Sequence, residues 1–381
     1  MSDPTVAPVD APPSPQARLS HDSTVAELVP MHLKFLALTL LTLGVYHFWA
    51  RTHARRFLWS RTRLLDEPFV YLGRPVELLV GFVVAMVLVV APVVVLNVVL
   101  LPQAEGDPDA GLMAGIAALS VVQAIAIPYL IFVGGYAARR YRLSRTAWRG
   151  IRGRQAGSAW TYGLWGMLYA MVTGVTLLWF YPWQRAKLAR ERLQNAWFGS
   201  LKFDCDVEGR DLVGAFAIMW FGIPVLGMIL ALVVGGLFAG LVAGGVMSGE
   251  IEGETDLNQA VWALQLLPLL MYLPLGLFYI IYRGHELRHV AKHTSFGEVR
   301  FEFTYGIWQY VGYAVGNIAI LLLTLATGWI YVQRRQLKFW ERFLVVSGDI
   351  DFAAVGQAAD TGPRTGEGLA ELFDTGFEIG F

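Results

Sequence analysis

The sequence predicts an all-α polytopic membrane protein with internal repeats, carrying short cytoplasmic β-strands attached to a repeated motif. Three observations lead there. Of the 381 residues, 55% are hydrophobic and only 16% are charged, where an ordinary soluble domain carries roughly 25% charged residues. Mean hydropathy is +0.49, and apolar runs of about 20 residues recur along the chain, the length at which a helix spans a bilayer. An aromatic-then-basic motif also returns three times in fixed order, the mark of a repeated unit.

The first motif copy, about 31–71, contains Tyr46, Trp49, Arg51, Arg55 and Arg56. The second, about 160–207, contains Trp183, Arg185 and Arg190. The third, about 304–352, contains Tyr331, Arg334 and Arg335. With Arg51, Arg185 and Arg334 set in register, Phe69, Phe203 and Phe352 align as well. Thr161-Tyr-Gly-Leu-Trp165 reappears as Thr304-Tyr-Gly-Ile-Trp308.

In chain order, residues 1–28 are rich in Pro, Ala, Ser and Asp and lack a basic segment followed by an apolar core. They read as a disordered cytosolic arm rather than a signal peptide. Residues 29–352 form the membrane domain, with apolar stretches at about 31–49, 78–101, 111–136, 160–183, 212–247, 260–282 and 304–332. The connections at 50–77, 137–159, 184–211 and 283–303 are rich in arginine, whereas 102–110 and 248–259 carry Asp and Glu and no Lys or Arg. Short basic loops stay in the cytoplasm. Seven crossings would put the basic 184–211 loop outside and the acidic 248–259 loop inside. The conflict disappears if 31–49, 160–183 and 304–332 enter and return on the cytoplasmic face. Only 78–101, 111–136, 212–247 and 260–282 then cross, and both termini are cytoplasmic.

Thr173-Gly174 and Gly316-Asn317 are the expected breaks in the second and third returning stretches, because Gly and Asn suit an interrupted helix. The first copy has only Gly44, later in its stretch. Seven plain crossings, with the charge rule failing locally, are the alternative. Pro224 and the glycines of 212–247 predict a kinked, tilted helix with close neighbours. Period-two alternation at 201–207, 299–303 and 349–352, and at Phe69 and Tyr71, predicts half-buried strands that tie the copies together. Residues 353–381, Gly-rich and acidic, read as a mostly disordered tail.

The segment Thr42-Leu-Gly-Val-Tyr-His-Phe-Trp-Ala-Arg51, with Arg56-Phe-Leu-Trp59, Phe69-Val-Tyr71 and Glu77-Leu-Leu-Val-Gly81, resembles the YjgN-like family of bacterial inner-membrane proteins. Tyr181-Pro182-Trp183 repeats the family's turn, and the resemblance covers roughly residues 30–352. It implies an inner-membrane location and no known activity or catalytic residues. The third copy departs from it, with Tyr331 and Gln333 where Trp and Ala or Pro are expected.

Cys205 is the only cysteine, which excludes intrachain disulfides and thiolate metal clusters. A formal net charge of zero provides no field for a nucleic-acid partner. The Trp-x-Arg junctions fit a membrane interface, where each basic residue near anionic headgroups is worth about 1 kcal/mol. Membrane lipid is therefore the expected partner. The four presumed crossings hold no Asp, Glu, Lys or Arg, which argues against proton-coupled transport. A solute channel would need a polar lumen around Asn97, Gln123 and Gln265.

His285-Glu286-Leu-Arg-His289 matches the H-E-x-x-H pattern, in which two His bind zinc and Glu is the general base. His293 continues that helix face. The segment just follows an apolar stretch, so its plainer reading is a basic interfacial helix with no metal. The sequence reading is thus a non-enzymatic inner-membrane protein without cofactor, binding lipid, a small solute or a partner through the tripled motif. A zinc hydrolase using His285, Glu286 and His289, and a channel or transporter, are the alternatives.

Overall fold

The computed structural model describes residues 19–100, 109–247, 267–348 and 355–356. Its frame is an antiparallel sheet of ten strands in which each strand pairs only with its neighbours in the chain, curled into a nearly closed barrel. The strands are β1 (Leu19–His21), β2 (Thr62–Leu64), β3 (Glu67–Tyr71), β4 (Thr146–Trp148), β5 (Ile151–Gln155), β6 (Ala196–Phe198), β7 (Leu201–Cys205), β8 (Thr294–Phe296), β9 (Val299–Phe303) and β10 (Leu344–Ser347). Tight turns join the hairpins. Leu65 and Asp66 (φ 50° and 63°), and Arg149 and Gly150 (φ 49° and 77°), adopt the paired left-handed conformation that matches strand twist.

Between the two strands of every other pair lie helices, so the described residues form five successive strand–helices–strand units. Unit 1 holds α1 (Val25–Leu41) and α2 (His47–Ser60). Unit 2 holds α3 (Pro75–Ala85), a π-helical turn (Met86–Val90), α4 (Ala91–Leu100) and α5 (Ala110–Arg145). Unit 3 holds α6 (Ala159–Val175) and α7 (Tyr181–Gln194). Unit 4 holds a 3-10 turn (Gly209–Leu212), α8 (Val213–Met247) and α9 (Leu267–Lys292). Unit 5 holds α10 (Ile307–Leu323) and α11 (Trp329–Phe343).

The same register opens and closes each unit: His21 pairs with Thr62, Tyr71 with Thr146, Gln155 with Ala196, Cys205 with Thr294 and Phe303 with Leu344. Helix passes into strand at once. Thr62, Thr146 and Thr294 each donate Oγ1 to the carbonyl four residues back, at 2.8, 2.9 and 2.7 Å, satisfying an orphan carbonyl at the helix end. The fifth unit returns to the first. Ile330 and Leu337 of α11 share a buried cluster with Leu28, Phe35, Ala54 and Leu58 of α1 and α2, and Arg334 Nε donates to the Ser23 carbonyl at 3.0 Å.

This corrects the all-α expectation: the sheet organises the chain, and the strands are not appendages of a helical bundle. Their brevity hid them. Strands of three to five residues barely complete one period of alternation, and β5 reads Ile-Arg-Gly-Arg-Gln with no apolar repeat. The polytopic expectation is corrected too. Among the described residues two helical stretches, Ala110–Arg145 and Gly209–Gly245, are long and apolar enough to cross a membrane. Only 6% of the apolar window of each is buried, so neither is packed like the core helix of a soluble domain. Pro75–Ala85 is shorter, and much of the 260–282 stretch lies outside the described residues.

The described residues begin at Leu19, within the stretch expected to be an arm, and Leu19–His21 form strand β1; residues 1–18 lie outside the described residues. The expected strand at 349–352 and most of the expected tail lie outside them as well, although Val355 is buried.

Candidate functional site

Units 1, 3 and 5 are helical hairpins with one shared tip. Thr42, Thr176 and Thr324 end the ascending helices and donate Oγ1 to the carbonyl four residues back, at 2.7, 2.8 and 2.7 Å. The same oxygens accept from the backbone N–H four residues ahead, on Tyr46, Phe180 and Gly328, at 2.9, 3.1 and 2.9 Å. Gly44, Leu178 and Ala326 donate their N–H to Thr39, Thr173 and Leu321 at 2.7, 2.7 and 2.6 Å. These turns force φ positive at Leu43 (50°), Leu177 (48°), Leu178 (72°), Leu325 (48°) and Ala326 (63°), a conformation that bulky residues rarely adopt. The expected breaks at Thr173-Gly174 and Gly316-Asn317 lie instead within α6 and α10.

The tips present apolar side chains outward. Leu43 is 95% exposed, Leu177 70% and Leu325 87%. In water this would be a cost; in hydrocarbon the same tip is suited to its surroundings, because its polar backbone is already bonded internally.

The tip threonines also set the register of the motif. Gln333, and not Arg334, occupies the place of Arg51 and Arg185, nine residues after the tip threonine. Tyr331 then stands where Trp49 and Trp183 stand, so the third copy keeps its aromatic residue.

Most of the singled-out arginines hold the protein together. Arg55 is buried and donates to Tyr71 Oη at 3.3 Å. Arg56 donates to the Gly73 carbonyl at 2.8 Å, Arg334 bonds Ser23 as above, and Arg335 Nε donates to Asn317 Oδ1 at 2.8 Å. Arg51 is half-buried and has partners within the protein, whereas Arg190 is exposed. Tyr46 packs on Phe35 with ring centroids 6.3 Å apart, Trp49 against the Phe48–Leu78–Tyr141 cluster, and Trp183 on Phe180. Tyr331 lies beside the His32 ring at 5.3 Å.

Arg185 and Glu286 form the most buried ionic group described. Arg185 Nε donates to Glu286 Oε1 at 2.8 Å, and Arg283 Nη1 lies 2.5 Å from Oε2. Burial would raise the Glu286 carboxyl, but the guanidiniums of Arg185 and Arg283 hold it down at about 2. A carboxylate so held is a poor proton acceptor, and its two oxygens face arginines rather than a metal position shared with His285 and His289. That is where the geometry takes the H-E-x-x-H segment.

A cavity of about 300 Å³ opens between α2, the end of α5, the first four strands and α11. Its walls combine Arg55, Arg139 and Arg142 with Trp59, Phe69 and Trp340. Composition gave no hint of it, because the arginines come from separate units and meet only through the strand register.

Two long, exposed apolar helices carried on a sequentially wound antiparallel sheet point to membrane association of the protein. Its family follows from the sequence profile for "Bacterial protein of unknown function (DUF898)", which matches residues 16–372; the chain belongs to this family, the YjgN-like family. No curated protein and no solved structure matches it.

Proposed function

We propose that this protein is an integral, non-catalytic component of the bacterial inner membrane that dips three hairpins into the cytoplasmic leaflet and binds acidic lipid headgroups at their basic ends. The hairpin tips carry this reading: three apolar, outward-facing turns whose backbone groups are satisfied by one threonine each. Depth is limited by charge. Arg51 and Arg185 stand only four residues into the returning helices, which begin at His47 and Tyr181, about 6 Å of helix, a small part of a roughly 30 Å hydrocarbon layer. A hairpin with such arms enters and returns. The long apolar helices Ala110–Arg145 of unit 2 and Gly209–Gly245 of unit 4 cross, and both termini are cytoplasmic. The cavity lined by Arg55, Arg139 and Arg142 beside Trp59, Phe69 and Trp340 matches an acidic headgroup with the start of its acyl chains.

Two measurements test the proposal. In a Cys205→Ala background, single cysteines at positions 43, 177 and 325 carry an environment-sensitive dye in reconstituted vesicles. Apolar emission, quenched by lipid-borne quenchers, is expected at all three; water-like emission would remove the insertion reading. The double variant Arg139→Gln/Arg142→Gln is expected to retain several-fold less acidic lipid through purification, with zwitterionic lipid unchanged. Equal retention would remove the headgroup reading.

A further inference from the structure

In three units an acidic residue stands six positions after the entering strand and faces the residue just before the returning strand. In unit 1 Glu27 Oε1 lies 3.1 Å from Arg61 Nη2. In unit 2 Glu77 Oε2 accepts from Arg145 Nε at 3.0 Å and from Tyr141 Oη at 3.0 Å. Four residues before each arginine is the aromatic ring it covers, Phe57 under Arg61 and Tyr141 under Arg145. In unit 4 these places belong to Asp211, His293 and His289. The acid is kept, but an imidazole replaces the guanidinium, and a second imidazole replaces the ring. The guanidinium that answers the acid in units 1 and 2 is therefore absent from unit 4.

We propose that a first-row divalent metal ion takes its place, held by the Asp211 carboxylate, His289 Nε2 and His293 Nε2. One possible ligand atom from each of the three residues, a ring nitrogen or a carboxylate oxygen, lies within 4.8 Å of the other two, and Asp211 Oδ2 is 3.6 Å from His289 Nε2. Ligands about 2.0–2.2 Å from a tetrahedral ion stand about 3.3 Å apart, so small side-chain rotations close the set. His293 Nδ1–H donates to the His289 carbonyl at 2.9 Å. A carbonyl can only accept, so the proton is on Nδ1 and the Nε2 lone pair is available, the orientation that an outer hydrogen bond gives a metal-binding His. His289 Nε2 is buried without a hydrogen-bond partner. Two imidazoles and one carboxylate suit Zn²⁺ and Fe²⁺ alike. A cavity of about 440 Å³, lined by Asp211 and His289 and also by His285, Arg288 and Glu302, provides the entry path and leaves a fourth position for water. The site shares only His289 with the H-E-x-x-H segment.

The test uses the full-length protein in detergent, stripped with chelator and titrated with Zn²⁺ by calorimetry and with Co²⁺ by visible absorption. One equivalent of each is expected, with the d–d bands of bound Co²⁺ and a raised unfolding midpoint. His289→Tyr/His293→Arg installs the unit 2 residues. It is expected to bind neither ion, while its midpoint in chelator matches or exceeds that of the parent protein. Should that variant fail to fold, Asp211→Asn takes over, with an expected loss in affinity of at least about tenfold. The proposal is overturned if the parent protein binds no more metal than these variants, or if His285→Ala/Glu286→Gln abolishes binding while His293→Arg does not.

Discussion

Arg335 Nε donates to Asn317 Oδ1 across the fifth unit's hairpin, 2.8 Å apart. The two residues stand seven before and eleven after the tip threonine. The same positions bring Phe35 onto His53, with centroids 6.4 Å apart, and Lys187 Nζ to 5.1 Å from the Tyr169 ring centroid. One closure point thus uses three chemistries. Arg335→Met leaves buried Asn317 without this partner and is expected to cost about 1–3 kcal/mol, read as a lower thermal midpoint in detergent. Lys187→Met, on an exposed side chain, is expected to cost only about 0.5–1 kcal/mol. Equal losses would contradict this ranking.

Glu286→Gln removes the charge that both Arg185 and Arg283 face. Breaking a buried ionic group in this way is expected to cost about 3–5 kcal/mol, whereas the triple replacement Arg185→Met/Arg283→Met/Glu286→Met is expected to be near neutral. Chemical denaturation of the single and triple variants checks the contrast. A single variant as stable as the parent protein would show that the carboxylate is not structural.

Thr176→Val removes a donor and an acceptor from one tip and leaves its shape almost unchanged. The Phe180 N–H is left without its partner, at a cost of about 1–3 kcal/mol, while the Val172 carbonyl keeps the Thr176 backbone N–H. The expected outcome is faster proteolysis or hydrogen exchange confined to residues 172–180, with the opposite end of the hairpin unaffected. Thr42→Val and Thr324→Val are expected to behave alike.

His21 gives the fold a pH dependence. It is buried, its Nδ1 is 2.9 Å from Thr62 Oγ1 and its Nε2 is 2.5 Å from Ser23 Oγ. Burial first, then Lys338 and Arg334, lower its pKa to about 4. The unfolded chain binds a proton near 6.5 and the folded chain does not, so stability is full above about 6.5 and falls as pH drops toward 4, by up to about 3 kcal/mol. Comparing the unfolding midpoints of the parent protein and His21→Gln between pH 7.5 and 4.5 isolates this contribution. Parallel curves would refute it.

Helix-forming stretches were legible because apolar runs and charge breaks are long signals. The hairpin tips were half legible. Thr42-Leu-Gly44 and Thr176-Leu-Leu178 match once the threonine is taken as the anchor, but anchoring on arginine slid the third copy by one residue. Gly174 and Gly316 looked like breaks, yet the chain turns at Leu177 and Leu325, where strain is accepted because the threonine bonds over-determine the turn. Most of the sheet was not legible. Its registers join residues such as Tyr71 and Thr146, far apart and without local alternation to mark them. The Asp211–His289–His293 grouping was hidden for the same reason: the histidines were visible as a helix face, but the acid comes from the other side of α8.

Neighbour-only strand pairing has a consequence for biogenesis. As the nascent chain emerges, each completed unit offers its last strand as a template for the next, so assembly can follow the order of translation. A chain interrupted after any unit would be left with an unpaired edge, a known route to aggregation. Only the docking of α11 onto α1 must wait for the final segment. That late step would make release of a finished protein depend on the oldest part of the chain having stayed in place.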